Sequence, residues 1–386
     1  MVTTPAAPGA SAIRRLFLHF GLFNLAVTIS GVFSSAFLLR QGLTPALVFL
    51  AMGAVLAVRF VFRTVVLFVA PRLGGRRTLM IGATISALQY PLLAGVSGLD
   101  AMLVAFVAVS GLGEAFYWTA FHACFAQAGE DARLGRQTSV RQIISIVGGI
   151  VGPPLGGLLL MHWPPAAFGL STILRLLSVV PLAGLPDLPI ARLPPPDAWL
   201  RARFGATVFA TDGWTIMSAS IGWAMIAFLA LGSRYDVLGV AMAAAALVGA
   251  GATWLLGRHI DMGHGRRAVL INLVASLAIL LAQALSAYDP ARVVAAMLAG
   301  AVLGGFATPA IMAAVYAEAK AASCVFRFQF AAEGGWDIGG IAACLACAAI
   351  LTLGAPLHAT ILLAMPALFV QARLVAASYR RRLRAA

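Results

Sequence analysis

Residues 139–161 read SVRQIISIVGGIVGPPLGGLLLM, an apolar run of membrane-spanning length that contains five glycines and two adjacent prolines. Part of this run, Gly148-Gly149-Ile150, recurs 191 residues later as Gly339-Gly340-Ile341. Three further features recur at offsets of 190 or 191 residues: Arg76-Arg77 and Arg266-Arg267, Gly113 and Gly304, and Arg136 and Arg327. A nearly constant offset indicates an internal duplication and predicts two halves of the same topology and orientation.

The composition of the whole chain is that of a membrane protein. Of its 386 residues, 61% are hydrophobic and only 10% are charged, against roughly 25% charged in soluble domains. A membrane-spanning helix needs about 20 apolar residues. Twelve runs of suitable length, here called spans one to twelve, lie at 16–39, 46–70, 78–97, 101–126, 139–161, 167–186, 207–231, 237–256, 268–287, 292–315, 328–354 and 356–376. The sequence therefore predicts an all-α polytopic membrane protein with twelve transmembrane helices in two six-helix parallel repeats, and excludes a soluble globule.

The connection between spans six and seven divides the chain. It contains four prolines and three arginines and is the one linker-like stretch between apolar runs. We therefore predict an N-terminal six-helix half at 1–186, a cytoplasmic linker at 187–206 and a C-terminal six-helix half at 207–386.

The distribution of basic residues indicates orientation. The formal net charge is +14, which in a soluble protein would suggest a nucleic-acid partner. When connections are assigned alternately to two sides, 21 of the 27 basic residues share the side of both termini, three lie opposite and three fall within spans. This bias predicts cytoplasmic termini, contact with a lipid bilayer and no nucleic acid. The arginine-rich, lysine-poor composition favours a bacterial inner membrane.

Signatures of cofactor or metal chemistry are weak. Cys344 and Cys347 form a CxxC, but inside a glycine- and alanine-rich span this spacing favours small packing residues over a redox or metal pair. The six histidines form no HxxxH or HExxH array, and the chain has no phosphate-binding GxxxxGK loop. We expect no cofactor, no metal and no enzymatic activity.

Two loops resemble the cytoplasmic signature G-x-x-x-D-R-x-G-R-R of the major facilitator superfamily. Residues 71–77 read PRLGGRR and end in Arg76 and Arg77, but Pro71 stands at the acidic position and Leu67 at the leading glycine. The second copy, residues 257–267, keeps the glycine, Asp261, Arg266 and Arg267, with one extra residue between the acid and the arginines. The resemblance implies a gating role for Arg76, Arg77, Asp261, Arg266 and Arg267, and a monomeric transporter.

Span five is similar to the antiporter motif G-x-x-x-G-P-x-x-G-G of the proton-coupled exporters in that superfamily. The matching residues are Gly148, Gly152, Pro153, Gly156 and Gly157. A second mark of these exporters, an arginine in span four, is missing, because Val107 stands at that position. Glycines at this spacing let helices approach closely, so a packing seam without an exporter role is the alternative.

Span four carries the strongest candidate binding site. Glu114, Trp118 and His122 recur at intervals of four residues and so share one helical face, with Tyr117 adjacent. The resemblance implies that spans one, four, seven and ten line the central cavity, where this stripe would bind an amphipathic organic solute and Glu114 would carry a coupling proton. The alternative is a Glu114 permanently paired with an arginine and a His122 that is wetted at the cytoplasmic end.

Spans one and seven add polar candidates for the same cavity. Asn24 and Thr28 lie in span one, and Asp212, Thr215 and Trp223 lie in span seven. Hydroxyl groups also bond to their own helix, so local structure is the alternative for the threonines. Asp212 lies near the cytoplasmic end of its span, where simple solvation is the alternative to proton coupling.

Two pairs of charged residues point to a gate. Arg59 and Arg63 in span two, and Glu333 and Asp337 in span eleven, are each four residues apart and share a helical face. In the superfamily that the chain resembles, spans two and eleven face each other. We therefore predict an ion-pair ladder that closes one side and breaks in the other state; the alternative is direct binding of an anionic substrate. Arg175, in span six, is expected to have a buried acceptor.

These features favour a secondary transporter that moves a small organic solute by alternating access, with proton-driven efflux as the leading reading. Its partners would be the small-molecule substrate and protons as coupling ion. Uptake of an organic anion by Arg59, Arg63 and Arg141 is the alternative. A membrane sensor or enzyme on the same scaffold is a third hypothesis.

Overall fold

The computed structural model describes residues 10–128, 134–187, 190, 198–260, 265–286, 288–304, 315, 318–319, 322 and 324–385. Within these ranges the chain is helical, with short turns between the helices and no strand. Nine helices among the described residues are long and apolar enough to cross a membrane. Two shorter apolar helices and one broken helix occupy the remaining predicted spans. The predicted all-helical membrane fold is confirmed.

The helices of the N-terminal half follow the predicted spans with three interruptions. Their bounds are Ala10–Ile29, the 3-10 turn Gly31–Phe33 and Ser34–Arg40 for span one, Pro45–Leu73 for span two, Gly75–Ala87 and Gln89–Ala94 for span three, Ala101–Ala128 for span four, Leu134–His162 for span five, and Pro164–Leu177 and Val179–Ala183 for span six. The interruptions therefore fall at Ser30, Leu88 and Ser178, in the middle of apolar runs.

The C-terminal half has longer helices. Their bounds are Ala198–Ala230 for span seven, Tyr235–Ile260 for span eight, Gly265–Ser286 for span nine, Pro290–Gly304 for span ten, Val325–Thr352 for span eleven, and Ala359–Leu362 with Ala364–Ala385 for span twelve. Span seven begins at Ala198, inside the predicted linker, because the prolines that oppose a helix end at Pro196.

Each half is built in the same way, and the two halves meet along two pairs of spans. Within the halves, span five packs on span one and span eleven on span seven. Between the halves, span two packs on span eleven and span five packs on span eight. The side that carries the free ends of spans one and twelve is called the terminal side, and the other the opposite side.

Glycines allow the helices within each half to touch backbone to backbone. A Cβ atom at Gly156 would overlap the backbone of Ile29 in span one, and a Cβ atom at Gly339 would overlap the backbone of Ala210 in span seven. These two contacts join the same pair of spans in the two repeats. Close approach of this kind is a common means of packing transmembrane helices, where burial of apolar surface gives little drive.

The glycine motif of span five packs on two neighbours. Gly148 and Gly152 leave room for the side chains of Asn24 and Thr28 in span one. Gly157, on another face, lies against the backbone of Tyr235 in span eight, which belongs to the other half. The motif therefore serves packing both within the N-terminal half and between the halves.

An apolar cluster joins the two halves on the opposite side, and is called the opposite seal. Its members include Phe33, Phe37, Phe49, Phe228, Tyr235 and Leu238, together with Cys344 and Ile361. On the terminal side, by contrast, the larger apolar clusters belong to one half each. The strongest apolar contact between the halves thus lies far from the free ends of the chain.

We predict that Gly156→Ala destabilises the protein by about 1–3 kcal/mol, because the added methyl group meets backbone that cannot rotate away. The matched control is Gly169→Ala in span six, where a Cβ atom has no neighbour within 4 Å; there alanine should be neutral or stabilising. Thermal unfolding in detergent measures both. Equal melting temperatures for the two variants would contradict the close backbone contact at Gly156.

Candidate functional site

Five buried or half-buried charged side chains meet between the halves and form the charged cluster. They are Arg59 and Arg63 of span two, Glu114 of span four, and Glu333 and Asp337 of span eleven. Arg59 is the middle residue of the helix Pro45–Leu73, and Asp337 lies next to the middle of Val325–Thr352. The cluster therefore sits near the centre of the membrane, where unpaired charge is costly.

Asp337 is the common acceptor of the cluster. Arg59 donates from Nε to its Oδ1 and places Nη2 in ion-pair contact with the same oxygen. Arg63 donates from Nε and Nη2 to Oδ2 at 3.0 and 2.6 Å. The side chain of Asp337 has no solvent exposure, so its charge is balanced by two arginines of the other half rather than by water.

Arg63 ties three spans together. Besides Asp337 it donates from Nη1 to the hydroxyl of Thr119 in span four, at 2.6 Å. Its Nη2 lies 3.8 Å from Oε2 of Glu333, which is a looser ion pair. Arg63 is 1% exposed, and so its guanidinium depends on these protein partners.

Arg59 connects the cluster to its more open edge. Its Nη1 donates to Oε2 of Glu114 at 3.1 Å, and its guanidinium lies over the Trp336 ring, 4.6 Å from the centroid. The Glu114 side chain is 26% exposed, which is the highest value of the five. Among the members of the cluster, Glu114 is therefore the group that a proton or a solute can reach most easily.

The predicted ladder residues thus lie together, in a pattern that differs from the expected one. In a simple ladder, each arginine would pair with one acid. Asp337 instead takes both arginines, and Glu333 is shared between Arg63 and His122. The physical reason is that Asp337 reaches both guanidinium groups, which stand one helical turn apart on span two. A role of these residues in gating stays a prediction.

His122 is part of this region. It is 7% exposed, its ring stacks on that of Trp118 with a centroid distance of 5.7 Å, and its Nε2 lies 3.5 Å from Oε1 of Glu333. The alternative of a wetted surface histidine is therefore wrong. The half-buried Trp118 lies one turn from Glu114 on the same helix, as the stripe predicts.

Tyr117 points elsewhere. It is fully buried and its ring stacks on Phe23 of span one, 3.8 Å between centroids and 5° between planes. Its hydroxyl lies 3.1 Å from Nε2 of His19, whose Nδ1 lies 2.8 Å from the carbonyl oxygen of Ser178. Because a carbonyl only accepts, His19 donates from Nδ1. Tyr117 therefore belongs to the interior of the N-terminal half.

The candidates in spans one and seven are engaged mainly in local structure. Thr28 donates to the carbonyl oxygens of Asn24 and Leu25, and Thr215 donates to that of Thr211. Asn24 is half-buried against Gly148, and Trp223 packs against the opposite seal. Arg141, named for the anion alternative, lies over the rings of Phe20 and Phe125.

Asp212 holds the side chain of Trp336, over which Arg59 lies. Its Oδ2 accepts from Nε1 of Trp336 at 3.2 Å and its Oδ1 accepts from Nε2 of Gln371 at 3.3 Å. Both donors are neutral, and they come from spans eleven and twelve. Asp212 therefore fixes the indole on which the Arg59 guanidinium lies.

Among the arginines predicted to have a gating role in the two signature loops, Arg76 forms hydrogen bonds to span six. Its Nη1 donates to the carbonyl oxygens of Ala183 and Leu185 at 3.3 and 3.2 Å, which ties the loop after span two to the end of span six. Arg77 is exposed. The other predicted gating residues, Asp261 and the side chains of Arg266 and Arg267, lie outside the described residues.

The expected acceptor of Arg175 is not found for two of its nitrogens. Within the described ranges, its Nε and Nη1 have no hydrogen-bond partner. The guanidinium instead lies over the Phe23 ring, with Cζ 3.5 Å from the centroid. Aromatic rings within the half, rather than a carboxylate, surround this charge.

Three residues that contact the site were not predicted from the sequence: Thr119, Trp336 and Gln371. Trp336 adjoins Asp337 and lies three residues after Glu333, so an aromatic residue beside two acids was a usable signal. Thr119 and Gln371 carry no such signal, because a single polar residue in an apolar span is more often bonded to its own helix.

Two equivalent six-helix halves that meet at buried ion pairs on one level and at an apolar seal on another are the architecture of a secondary membrane transporter. The comparison with known families agrees with this class. The chain belongs to the Major Facilitator Superfamily, because the model of that family matches residues 16–343. No curated protein matches the chain in sequence.

Two solved structures are similar to the chain in fold. The human organic anion transporter MFSD10 has a TM-score of 0.69 and 13% sequence identity, with 96% of this chain and 100% of that one covered. The fucose–proton symporter FucP of E. coli has a TM-score of 0.65 and 11% identity, with 95% and 98% covered. At this identity the likeness shows the fold alone.

We predict that Asp337→Asn lowers stability more than Glu333→Gln. The first change leaves two buried arginines without their shared carboxylate, and breaking a buried pair costs about 3–5 kcal/mol. The second removes a partner at 3.8 Å from an arginine that keeps Asp337 and Thr119. Thermal unfolding of the two isosteric variants compares them directly, and a greater loss in Glu333→Gln would refute Asp337 as the common acceptor.

Proposed function

We propose that this protein is a proton-coupled exporter of a small organic solute. One observation carries the proposal: Glu114 is an ion-pair partner of Arg59 at mid-membrane and is also the most exposed residue of the charged cluster. A carboxylate in that position can exchange a proton and can change the contacts between the halves at the same time. The span-five motif and the half-buried Trp118 support the same reading.

The structure suggests how the two closures would alternate. The opposite seal holds the halves together by apolar contact on one side, while Arg63, Glu333 and Asp337 hold them by ion pairs from mid-membrane toward the terminal side. Rocking of the halves around a central site would break one closure while the other stays formed. The charged cluster is thus the gate of the terminal side.

Protonation of Glu114 would act directly on this gate. A neutral Glu114 no longer balances the charge of Arg59, which then depends on Asp337 and on the Trp336 ring. A cationic or neutral amphiphile would bind beside Trp118 when Glu114 is charged and would leave when Glu114 takes up a proton. Binding of a cation should therefore weaken as the pH falls.

Transport of an organic anion is the second candidate. The likeness in fold to MFSD10, an organic anion transporter, and the presence of two arginines support it. A substrate carboxylate would then replace Glu114 as the exposed partner of Arg59. The fucose–proton symporter supports proton coupling with a neutral solute instead.

We further propose that the terminal side faces the cytoplasm of a bacterial cell and that the chain works as a monomer in the inner membrane. The charge bias of the sequence, with 21 of 27 basic residues assigned to that side, supports the orientation. The arginine-rich, lysine-poor composition supports the bacterial inner membrane, and membership of the superfamily supports the monomer.

The test is transport by the purified protein in liposomes that enclose a pH-sensitive dye. We expect a cationic or neutral amphiphile to move protons in the opposite direction, and Glu114→Gln to abolish this exchange while retaining a folded protein. The matched control is Asp236→Asn, which removes a carboxylate from an exposed pair with Arg234 and should transport normally.

The outcomes separate the candidates. Proton movement driven by carboxylates, lost in Arg59→Gln and kept in Glu114→Gln, would replace efflux by anion transport. Normal exchange in Glu114→Gln would remove Glu114 from the coupling mechanism.

A further inference from the structure

Arg175 in span six is a second kind of buried cation, away from the charged cluster. It is 2% exposed and is among the largest fully buried side chains of the described residues. It lies between spans one and three: its Cζ is 3.5 Å from the centroid of Phe23 and 5.6 Å from that of Tyr90. The transport mechanism proposed above does not use it.

Stacking on a ring satisfies only the face of a guanidinium. The hydrogen-bond donors of arginine point outward in the plane of the group and therefore not toward a ring that covers its face. In the described part of the chain, Nε and Nη1 of Arg175 have no hydrogen-bond partner. The cation–π contact therefore stabilises the charge but leaves donors of the Arg175 guanidinium unsatisfied.

A second buried donor belongs to the ring of Tyr90, next to Arg175. Tyr90 is 1% exposed, and its hydroxyl also has no hydrogen-bond partner among the described residues. Its ring flanks Arg175. Two different spans thus bring unsatisfied donors, one of them charged, into one buried region.

The energetics of burial require an acceptor there. A buried polar group without a hydrogen bond is destabilising, and a buried charge without a counter-charge is more so. No ion pair with a carboxylate is formed by Arg175 within the described residues, whereas Arg59 and Arg63 have three acids between them. An anion from solution would supply both the missing charge and the missing acceptor.

We infer that Arg175 and Tyr90 form a binding site for one small monovalent inorganic anion such as chloride. One guanidinium matches one negative charge. The flanking rings and the near-complete burial favour a small, weakly hydrated ion over a large or divalent one. The bound anion would hold spans one, three and six together around Phe23, on whose ring Tyr117 stacks.

The test is thermal unfolding of the full chain in detergent while chloride replaces gluconate at constant ionic strength. A ligand that binds only the folded state raises the melting temperature by mass action, and we expect a rise of about 2 °C or more. Arg175→Met should remove the chloride response. Tyr90→Phe, which loses only the hydroxyl, should shift the response to higher chloride concentration.

The matched control is Arg40→Gln, because Arg40 also lies over an aromatic ring, that of Tyr235, but is exposed on the opposite side. This variant should keep the full chloride response. The inference is overturned if wild type shows no response to chloride, or if Arg175→Met responds like wild type. Should Arg175→Met fail to fold, an unchanged response in Tyr90→Phe overturns it.

A structural measurement tests the same point without a variant. Bromide replaces chloride chemically and scatters anomalously, so crystals grown in bromide should show an anomalous peak within hydrogen-bond distance of the Arg175 guanidinium. Bromide peaks on the protein surface alone would contradict the site. Neither measurement depends on the transported solute.

Discussion

The constraint on which the structure depends is the cost of placing guanidinium groups in the middle of a membrane. Arg59 and Arg63 lie there, and Asp337, the carboxylate that accepts from both, comes from the other half of the chain. Breaking a buried pair is far more costly than never forming one. The halves are therefore held in register at one level by charge, and this level contains the one carboxylate of the cluster that is partly exposed to solvent.

Packing within each half makes the half rigid. Gly156 and Gly339 bring backbones together within the halves, so that little can slide there without opening a void. Between the halves, the contacts are ion pairs on one level and apolar packing on the other, together with the close approach of Gly157 to the backbone of Tyr235. The charged level of this interface can open as its ion pairs exchange a protein partner for water.

The sequence predicted the features that depend on composition and on helical spacing. It did not predict the features that depend on the direction in which a side chain points. The spans, the duplication and the four charged residues of spans two and eleven follow from apolar length, offset and helical spacing. The choice of Asp337 over Glu333 as common acceptor does not, because it depends on side-chain reach across the interface. Tyr117 shows the same limit: it adjoins Trp118 in the sequence, but its ring stacks on Phe23 and so points into the interior of the N-terminal half.

The buried arginines keep different partners if the halves separate. Arg59 and Arg63 retain Glu114 and Thr119, which belong to their own half, and Arg175 retains its rings. Asp337 is different, since the only cations in contact with it among the described residues belong to the other half. Separation therefore leaves unbalanced charge on Asp337 and Glu333 of one half and on Arg63 of the other, and these groups must be hydrated as the pairs part. Water can enter most easily at the exposed edge of the cluster, beside Glu114, and so the protonation of that edge and the opening of the gate are coupled by the same geometry.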